Sequence, residues 1–173
     1  YSLSDVKSVV DVGGGSGNLV AALLAVNPCL HATVFERPSV AETAVQWLHA
    51  AGLNQRCDVL EGDFFESVPT GGDVYVLSHV IHDWDEAHCL TLLRNCRRAI
   101  GPRGRLLIVE TVLPGPNEPS QARLLDLIML ANTPSGQERT VQEYQDLLTS
   151  ADFHPQRVVR TVSPVSVIEA FPA

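Results

Sequence analysis

The chain has 173 residues, enough for one domain, and contains 45% hydrophobic and 18% charged residues. This composition is typical of a globular domain and excludes disordered and fibrous classes. The formal net charge of −8, with no basic run to offset it, argues against binding to nucleic acid or to an anionic membrane surface.

From the amino terminus, short apolar segments alternate with helical segments. Strands separated by helices predict a parallel sheet with right-handed crossovers. Two helix caps are predicted, one from the capping-box spacing of Ser39 and Glu42 and one from Asp85. The predicted strands are Ser8–Val12, Ala32–Phe35, Cys57–Leu60, Val74–Val80 and Arg105–Glu110, and the predicted helices are Asn18–Val26, Ser39–Ala51 and Glu86–Ile100.

The pattern changes after Glu110, where a loop rich in proline and glycine is predicted from Pro114 to Pro119. The last two strands are joined by so few residues that they can only form an antiparallel hairpin. The predicted fold is α/β, a doubly wound, mostly parallel, seven-stranded Rossmann-like sheet that ends in this hairpin. The elements after the loop are a helix over Ala122–Ala131, a helix that begins at a Thr140–Glu143 capping box and ends near Ala151, and strands over Arg157–Thr161 and Val165–Ala170.

Targeting and thiol patterns favour a cytoplasmic protein. No apolar run reaches the roughly 20 residues that span a bilayer, and no signal-peptide pattern is present. The four cysteines, Cys29, Cys57, Cys89 and Cys96, form no CxxC pair and have no zinc-finger spacing. We therefore expect reduced, mostly buried thiols. The chain begins at Tyr1 rather than at Met, as a segment of a longer protein would.

A glycine-rich loop, VDVGGGSG, joins the first strand directly to the first helix. Gly13 and Gly15 let the backbone approach a ligand closely, and the helix that follows offers unpaired N–H groups. Such a loop binds nucleotide-like ligands at the carboxyl edge of a parallel sheet. The dinucleotide GxGxxG pattern fails at Asn18, and the Gly-Lys-Ser/Thr ending of a Walker loop is absent. A purely structural tight turn is the alternative interpretation.

Acidic and aromatic residues follow the second and third strands. Glu36 could accept two hydrogen bonds from a ribose diol, or it could be a surface charge at the strand end. After the third strand come Gly62, Asp63 and Phe64, where Asp63 suits the exocyclic amine of an adenine and Phe64 suits its ring. Together these positions predict an adenosine pocket with no pyrophosphate requirement. That pocket fits S-adenosylmethionine better than NAD.

The fourth strand leads into the segment HVIHDWD, which contains the predicted base. His82 lies just past the strand, at the same edge as the glycine loop. Because an imidazole titrates near neutral pH, His82 is predicted to act as a general base toward a phenolic hydroxyl. Glu110 and Glu138 are candidates to orient its ring, although Glu138 is equally well explained as a surface charge. His79 is interpreted as a packed or capping histidine.

A metal-dependent mechanism is the nearby alternative, and it would need a cluster of carboxylates around a hard cation. Asp83 and Asp85 could contribute to such a cluster. Solvated carboxylates at the start of a helix explain both residues better. We therefore predict no metal.

The series VDVGGGSG, VFE, EGDFF, HVIHDW, RLLIVE and GQERT covers nearly the whole chain in order. In these motifs the sequence resembles the catalytic domain of the class II, caffeic-acid and hydroxyindole-type, S-adenosylmethionine-dependent O-methyltransferases. The resemblance implies the methyltransferase form of the sheet and methyl transfer to a hydroxyl of a small aromatic or polyketide-like molecule. The site residues it implies are His82, Glu110 and Glu138 for catalysis, Gly13, Gly15, Glu36, Gly62, Asp63, Phe64, Ser78 and Trp84 for the cofactor, and Asp83, Asp126 and Met129 for the acceptor.

Two positions depart from the family pattern. Ser78 stands where the family often has a Lys or Arg that contacts the cofactor, so this contact is shortened or lost. Glu36 stands where the family usually has Asp, and it still reaches a diol. The family's N-terminal helical dimerisation domain is not in this chain. The full-length form is therefore expected to be a homodimer, and this chain could be a monomer.

Two other functions stay open at this point. One is a non-catalytic module that binds S-adenosylmethionine and retains the fold; Ser78 favours it, whereas intact His82 and Glu110 argue against it. The other is an NAD-dependent dehydrogenase, which the glycine spacing disfavours.

Overall fold

A computed structural model describes residues 1–115 and 118–173. Pro116, which belongs to the predicted proline-rich loop, lies outside the described residues. In chain order the elements are β1 (Ser8–Val12), α1 (Asn18–Val26), β2 (His31–Glu36), α2 (Pro38–Ala50), β3 (Cys57–Glu61), β4 (Val74–Ser78), α3 (Glu86–Ala99), β5 (Arg105–Leu113), α4 (Ala122–Asn132), β6 (Arg139–Thr140), α5 (Val141–Ser150), β7 (Phe153–Arg160) and β8 (Val165–Pro172).

The strands form one sheet in the order β3-β2-β1-β4-β5-β8-β7. The first five strands are parallel, β8 lies antiparallel to β5, and β7 lies antiparallel to β8. This confirms the predicted doubly wound, mostly parallel sheet with a C-terminal hairpin. The short strand β6, which pairs with the end of β5, was not predicted. Two residues are too few to give a recognisable alternation of apolar and polar side chains.

Both faces of the sheet are buried, and β4 shows how the sequence achieves this. Tyr75 and Leu77 belong to the core cluster beneath α3 and α5, whereas Val74 and Val76 belong to the cluster beneath α1 and α2. Successive side chains of a strand point to opposite faces. A strand covered on both faces therefore needs an almost continuous apolar run, which is the pattern of VYVLS.

Several strand boundaries differ from the prediction, among them the ends of β4 and β5 and the start of β7, which lies at Phe153 rather than Arg157. β4 ends at Ser78 rather than Val80, because the N–H groups of Val80 and Ile81 leave the sheet and donate to the side chain of Glu110. β5 continues past Glu110 to Leu113 because it pairs with β8 and then with β6. The first change places His79 and His82 outside the sheet, at its carboxyl edge.

The helix caps follow the sequence in two of three cases. The Asp85 side chain accepts a hydrogen bond from the N–H of His88 at 2.9 Å, and Thr140 and Glu143 form a capping box, as predicted. The Ser39–Glu42 capping box was wrong. Helix α2 already begins at Pro38 and has no side-chain cap, since proline is preorganised for the first helical position.

All four cysteines have free thiols, and most of them are buried, as predicted. Cys57, Cys89 and Cys96 are buried, whereas Cys29 is exposed. Among the described residues, no helix has the length and apolar character needed to cross a membrane.

The caps provide a stability test. We expect Asp85→Ala to lower the free energy of unfolding by about 0.5–2 kcal/mol, because the N–H of His88 loses its acceptor. Ser39→Ala is the matched control and should leave that free energy nearly unchanged, because α2 has no side-chain cap. Urea unfolding followed by circular dichroism measures both. A larger loss for Ser39→Ala than for Asp85→Ala would contradict the observed start of α2.

Candidate active site

A cavity of about 360 Å³ opens at the carboxyl edge of the sheet. The ends of β1, β2, β3 and β4 meet there, as expected where parallel strands end at one edge. Six of the predicted cofactor and acceptor residues line it, and Arg37, Phe65, His79 and Val80 complete the wall. The lining residues are Gly13, Glu36, Arg37, Asp63, Phe64, Phe65, His79, Val80, Asp83 and Trp84.

The glycine loop brings bare backbone to this cavity. Gly13 adopts a φ of 72°, and a Cβ atom there would come within 2.9 Å of Val80 Cγ2. Gly15 adopts a φ of 56°, and its N–H donates to Oε2 of Glu36 at 3.1 Å. Both positions therefore need glycine, for its positive φ and, at Gly13, for space. The contact also ties the Glu36 carboxylate to the loop.

A buried carboxyl that the sequence did not single out lies beneath the loop. Asp11 is 1% exposed, and neither of its carboxyl oxygens has a hydrogen-bond partner among the described residues. Burial, and then the charge of Glu36, raises the pKa of Asp11 to about 7. A Cβ atom on Gly14 would lie 2.7 Å from Asp11 Oδ2. Contact with this carboxyl explains why the middle glycine of the loop cannot carry a side chain.

Three aromatic rings form one wall of the cavity. Phe65 and Trp84 meet edge to face with centroids 4.7 Å apart, and Phe64 and Phe65 meet at 4.8 Å. Asp63 accepts the N–H of Phe65 at 2.7 Å, which fixes the turn that presents the rings. A planar ring system fits such a wall, because aromatic groups prefer edge-to-face or offset contacts.

Three residues assigned to the cofactor, Gly15, Gly62 and Ser78, are absent from the cavity wall. At Gly62 a Cβ atom would lie 2.5 Å from Phe35 Cε2, so the packing of that ring already accounts for the glycine. Ser78 is the half-buried last residue of β4. Gly62 and Ser78 therefore have no visible part in shaping the cavity.

The three predicted catalytic residues come together at the next strand ends. His82 lies in a 3₁₀ turn, Ile81–Asp83, and its side chain is 14% exposed. Its Nδ1 atom is 3.2 Å from Oε2 of Glu110 and 3.5 Å from Oε1 of Glu138. Its Nε2 atom is 3.6 Å from Oδ1 of Asp83. Glu138 is 5% exposed, so it is not the surface charge that the sequence also allowed.

Glu110 has two partners at once. It is completely buried. Its Oε1 atom accepts the N–H groups of Val80 at 3.0 Å and Ile81 at 2.9 Å, while its Oε2 atom faces His82. The same carboxylate therefore holds the turn and lies beside the imidazole that the turn carries.

The carboxylates control the protonation of His82. Burial lowers the pKa of His82, but the nearby carboxylates of Glu110, Glu138 and Asp83 outweigh burial and raise the pKa to about 10. In the free protein the imidazole therefore carries a proton at neutral pH.

The predicted acceptor residues Asp126 and Met129 lie on α4. Asp126 accepts the backbone N–H of Glu138 at 2.9 Å, so it supports one of the carboxylates beside His82. Met129 is half-buried. Four apolar side chains of the same helix are exposed: Leu124, Leu127, Ile128 and Leu130.

The interpretation of His79 as a packed or capping histidine was wrong. His79 is neither packed nor capping, since its side chain is 52% exposed and lines the cavity. Its φ of 55° is unusual for a residue other than glycine, and its Nδ1 atom lies 3.8 Å from Oε2 of Glu110. No local pattern marks this conformation, because it follows from the turn that Glu110 holds.

The described residues contain one group of side chains whose donor atoms are close enough for a metal ion, namely His79, His82 and Glu110. The donor atoms lie within 4.8 Å of one another. Asp83 and Asp85, the carboxylates considered from the sequence, do not belong to it. The absence of a metal stays a prediction.

Known proteins are similar to this chain in sequence and in fold. Residues 1–154 match the O-methyltransferase domain family. A phenazine O-methyltransferase from Lysobacter antibioticus is 44% identical over 172 residues, which are 99% of this chain and 50% of that protein. The chain therefore spans about half the length of the curated relatives it matches.

Solved structures of methyltransferases superpose closely on this chain. Human N-acetylserotonin methyltransferase in complex with S-adenosylmethionine superposes with a TM-score of 0.91 at 33% identity, covering 100% of this chain and 49% of that one. An O-methyltransferase from neocarzinostatin biosynthesis was solved with S-adenosylmethionine and 2-hydroxy-5-methyl naphthoic acid. It superposes with a TM-score of 0.92 at 35% identity, covering 100% of this chain and 51% of that one. The chain belongs to the O-methyltransferase domain family, the class II group that its motifs predicted.

Proposed function

We propose that this domain catalyses S-adenosylmethionine-dependent methyl transfer to a hydroxyl of a small aromatic or polyketide-like molecule, with His82 as the general base. The observation that carries the proposal is the placement of a largely buried imidazole between two buried carboxylates, beside a cavity formed by a glycine loop. Family membership supports the same reaction class.

The cavity residues fit the cofactor. Gly13 presents bare backbone to the cavity, and Gly15 holds the Glu36 carboxylate through its N–H. Glu36 offers carboxylate oxygens to a ribose diol, and the wall of Phe64 and Trp84 suits an adenine, with Asp63 near its amine. When bound, S-adenosylmethionine would supply an electrophilic methyl group on a positively charged sulfur. S-adenosylhomocysteine would be the product, and no metal is needed.

Proton transfer falls to this chain's own residues. Because Nδ1 of His82 faces Glu110 and Glu138, its Nε2 atom is the one left to accept the proton of an acceptor hydroxyl. The two carboxylates then stabilise the imidazolium that forms. The imidazole must first lose the proton that it holds at neutral pH. A positive charge brought into the cavity would promote that loss by lowering the pKa of His82.

For the acceptor, we propose contacts from Asp83, Asp126 and Met129, and we expect no nucleic acid or membrane partner. We propose that residues 1–173 form the cofactor-binding catalytic domain of a cytoplasmic protein that is a homodimer at full length. The exposed apolar residues of α4 support a covering partner there. Relatives of this chain include proteins named for phenazine and acetylserotonin. A hydroxyphenazine, a hydroxynaphthoic acid and N-acetylserotonin are therefore the first acceptors to test.

Calorimetric titration tests the cofactor assignment. We expect S-adenosylmethionine and S-adenosylhomocysteine to bind wild-type protein, and NAD not to bind. Asp63→Ala should weaken binding of both sulfur cofactors by about tenfold, which corresponds to one hydrogen bond of about 1.4 kcal/mol. Asp58→Ala is the control. It removes an exposed carboxylate on β3, the strand that precedes Asp63, and should bind both cofactors like wild type. Binding of NAD in place of the sulfur cofactors would overturn the assignment.

The non-catalytic alternative makes a different prediction. It requires cofactor binding with no turnover that depends on His82. The His82 ion pairs argue against it, because a module without chemistry has no need to bury two carboxylates beside a histidine. Failure to methylate any acceptor in a full-length protein that binds the cofactor would favour this alternative.

A further inference from the structure

The turn that carries His82 is held on both sides of its backbone. On one side Glu110 accepts the N–H groups of Val80 and Ile81. On the other side Arg139 donates through Nη1 to the carbonyl of Ile81 at 2.9 Å and through Nη2 to the carbonyl of Trp84 at 2.7 Å. The carbonyl of His82 itself accepts the N–H of Gln137 at 2.8 Å. The backbone around His82 is therefore tied directly to β5 and to the segment that leads into β6.

Arg139 is an unusual residue in this position because it is 2% exposed. All of its hydrogen bonds go to backbone carbonyls, and among the described residues no carboxylate oxygen lies within ion-pair distance of it. Burying a charge that lacks an ionic partner is costly. Glu110 and Glu138 are buried as well, and the charges of all three residues act on the pKa of the buried Tyr144 hydroxyl.

We propose that Arg139 is a positioning residue for the reaction: its guanidinium fixes the 80–84 turn so that His82 stays between Glu110 and Glu138. This inference rests on the proposed role of His82 as the base. The strand pairing supports it, because β6 aligns Arg139 with Val112 of β5, two residues past Glu110. The two side chains that clamp the turn thus come from adjacent strands.

A guanidinium suits this role better than an ammonium. The planar fork directs two donors at two carbonyls in a fixed geometry, whereas a lysine offers one point charge on a flexible stem. We expect Arg139→Lys to keep part of the effect and Arg139→Met, which retains only the apolar stem, to lose it.

The experiment compares Arg139→Met and Arg139→Lys with Arg97→Met. Arg97 is the matched control, since it also donates to two backbone carbonyls, those of Asp152 at 3.0 Å and Ala173 at 2.9 Å, but it lies far from the turn. Three quantities are measured: hydrogen exchange of the Val80 and Ile81 amides, affinity for S-adenosylhomocysteine, and kcat and KM for the first hydroxyphenazine or naphthoic acid that wild type methylates.

We expect Arg139→Met to speed exchange of the two amides relative to the amides of β4 and to lower kcat by about 100-fold, the cost of a small displacement of a catalytic group. KM and cofactor affinity should change little, because Arg139 does not line the cavity. Arg97→Met should lose stability without either local effect. Arg139→Lys should fall between wild type and Arg139→Met.

If Arg139→Met keeps the wild-type kcat and the wild-type protection of the Val80 and Ile81 amides, the inference is wrong. The inference is also wrong if Arg97→Met, at an equal loss of stability, loses as much kcat and amide protection as Arg139→Met. If Arg139→Met does not fold, Arg139→Lys is judged by the same criteria. Amide exchange needs no turnover. If wild type methylates nothing, that result counts against the proposed function, while exchange at Val80 and Ile81 still decides whether Arg139 holds the turn.

Discussion

Replacing His82 with glutamine is expected to lower kcat by about 10²–10⁴-fold, the usual contribution of a positioned general base. Glutamine keeps a polar side chain of similar size but cannot take a proton from the acceptor hydroxyl. S-adenosylhomocysteine affinity should stay close to wild type, because His82 is not among the residues that line the cavity proposed for the cofactor. Methylation is followed by chromatography with an acceptor that the wild-type, full-length protein methylates.

His49→Gln is the control for this substitution, since His49 is an exposed histidine on α2, away from the cavity. It should leave kcat unchanged. Retention of full activity in His82→Gln, with the control behaving as expected, would mean that another group removes the proton. His79, which lines the cavity beside Glu110, would then be the next residue to replace.

The pH dependence of the wild-type reaction follows from the same site. The reactive form of His82 is the neutral imidazole, and its pKa is raised to about 10 in the free protein. The rate kcat/KM should therefore rise with pH through the neutral range, because an increasing fraction of the protein has lost this proton. A rate that falls over that range would contradict the assignment of His82 as the base.

Replacing Glu110 should have the second large effect, on both stability and chemistry. In Glu110→Ala the N–H groups of Val80 and Ile81 lose their acceptor, and His82 loses its nearer carboxylate. Removing one partner of a buried charged pair costs about 3–5 kcal/mol. We expect a loss of that order in the free energy of unfolding, measured in urea, together with loss of methyl transfer.

Glu110→Gln separates the two roles, because its side-chain oxygen can still accept the turn amides while the negative charge is gone. The pKa of His82 should then fall from about 10 toward the ordinary value of 6.5, and NMR titration of the imidazole measures this change. In wild type the raised pKa stabilises the fold fully below the unfolded-state value, and this stabilisation is lost as the pH rises through about 10. Glu110→Gln should flatten that dependence.

Glu169→Gln is the control for the Glu110 variants. Glu169 is also a buried glutamate, 3% exposed, but its partners are Tyr1, Arg105 and Arg157 rather than His82. It should lose stability while keeping the wild-type titration of His82. An unchanged pKa of His82 in Glu110→Gln would show that Glu138 and Asp83 alone set the protonation of the base.

Much of the fold could be read from local sequence. The apolar runs that become β1 to β5, the helices between them and the short connection before β8 are local signals, and each led to the correct element. The loop VDVGGGSG and the position of His82 after β4 likewise follow from residues close together in the chain. Parallel strands end at a shared edge, so this local information was enough to place the cavity.

The contacts that define the site depend on residues far apart in sequence. Glu110 reaches the N–H of Val80 across 30 residues, and Arg139 reaches the carbonyl of Ile81 across 58. These contacts place His79 at the cavity with a positive φ, and they end β4 two residues before the predicted end. They also give Glu110 a structural role in addition to its place beside His82. Sequence determined which elements form and which edge carries the chemistry, since propensity and spacing are local properties. Only the tertiary structure decided how the turn is held, because a buried backbone group takes its partner from whichever side chain the packed strands bring within reach.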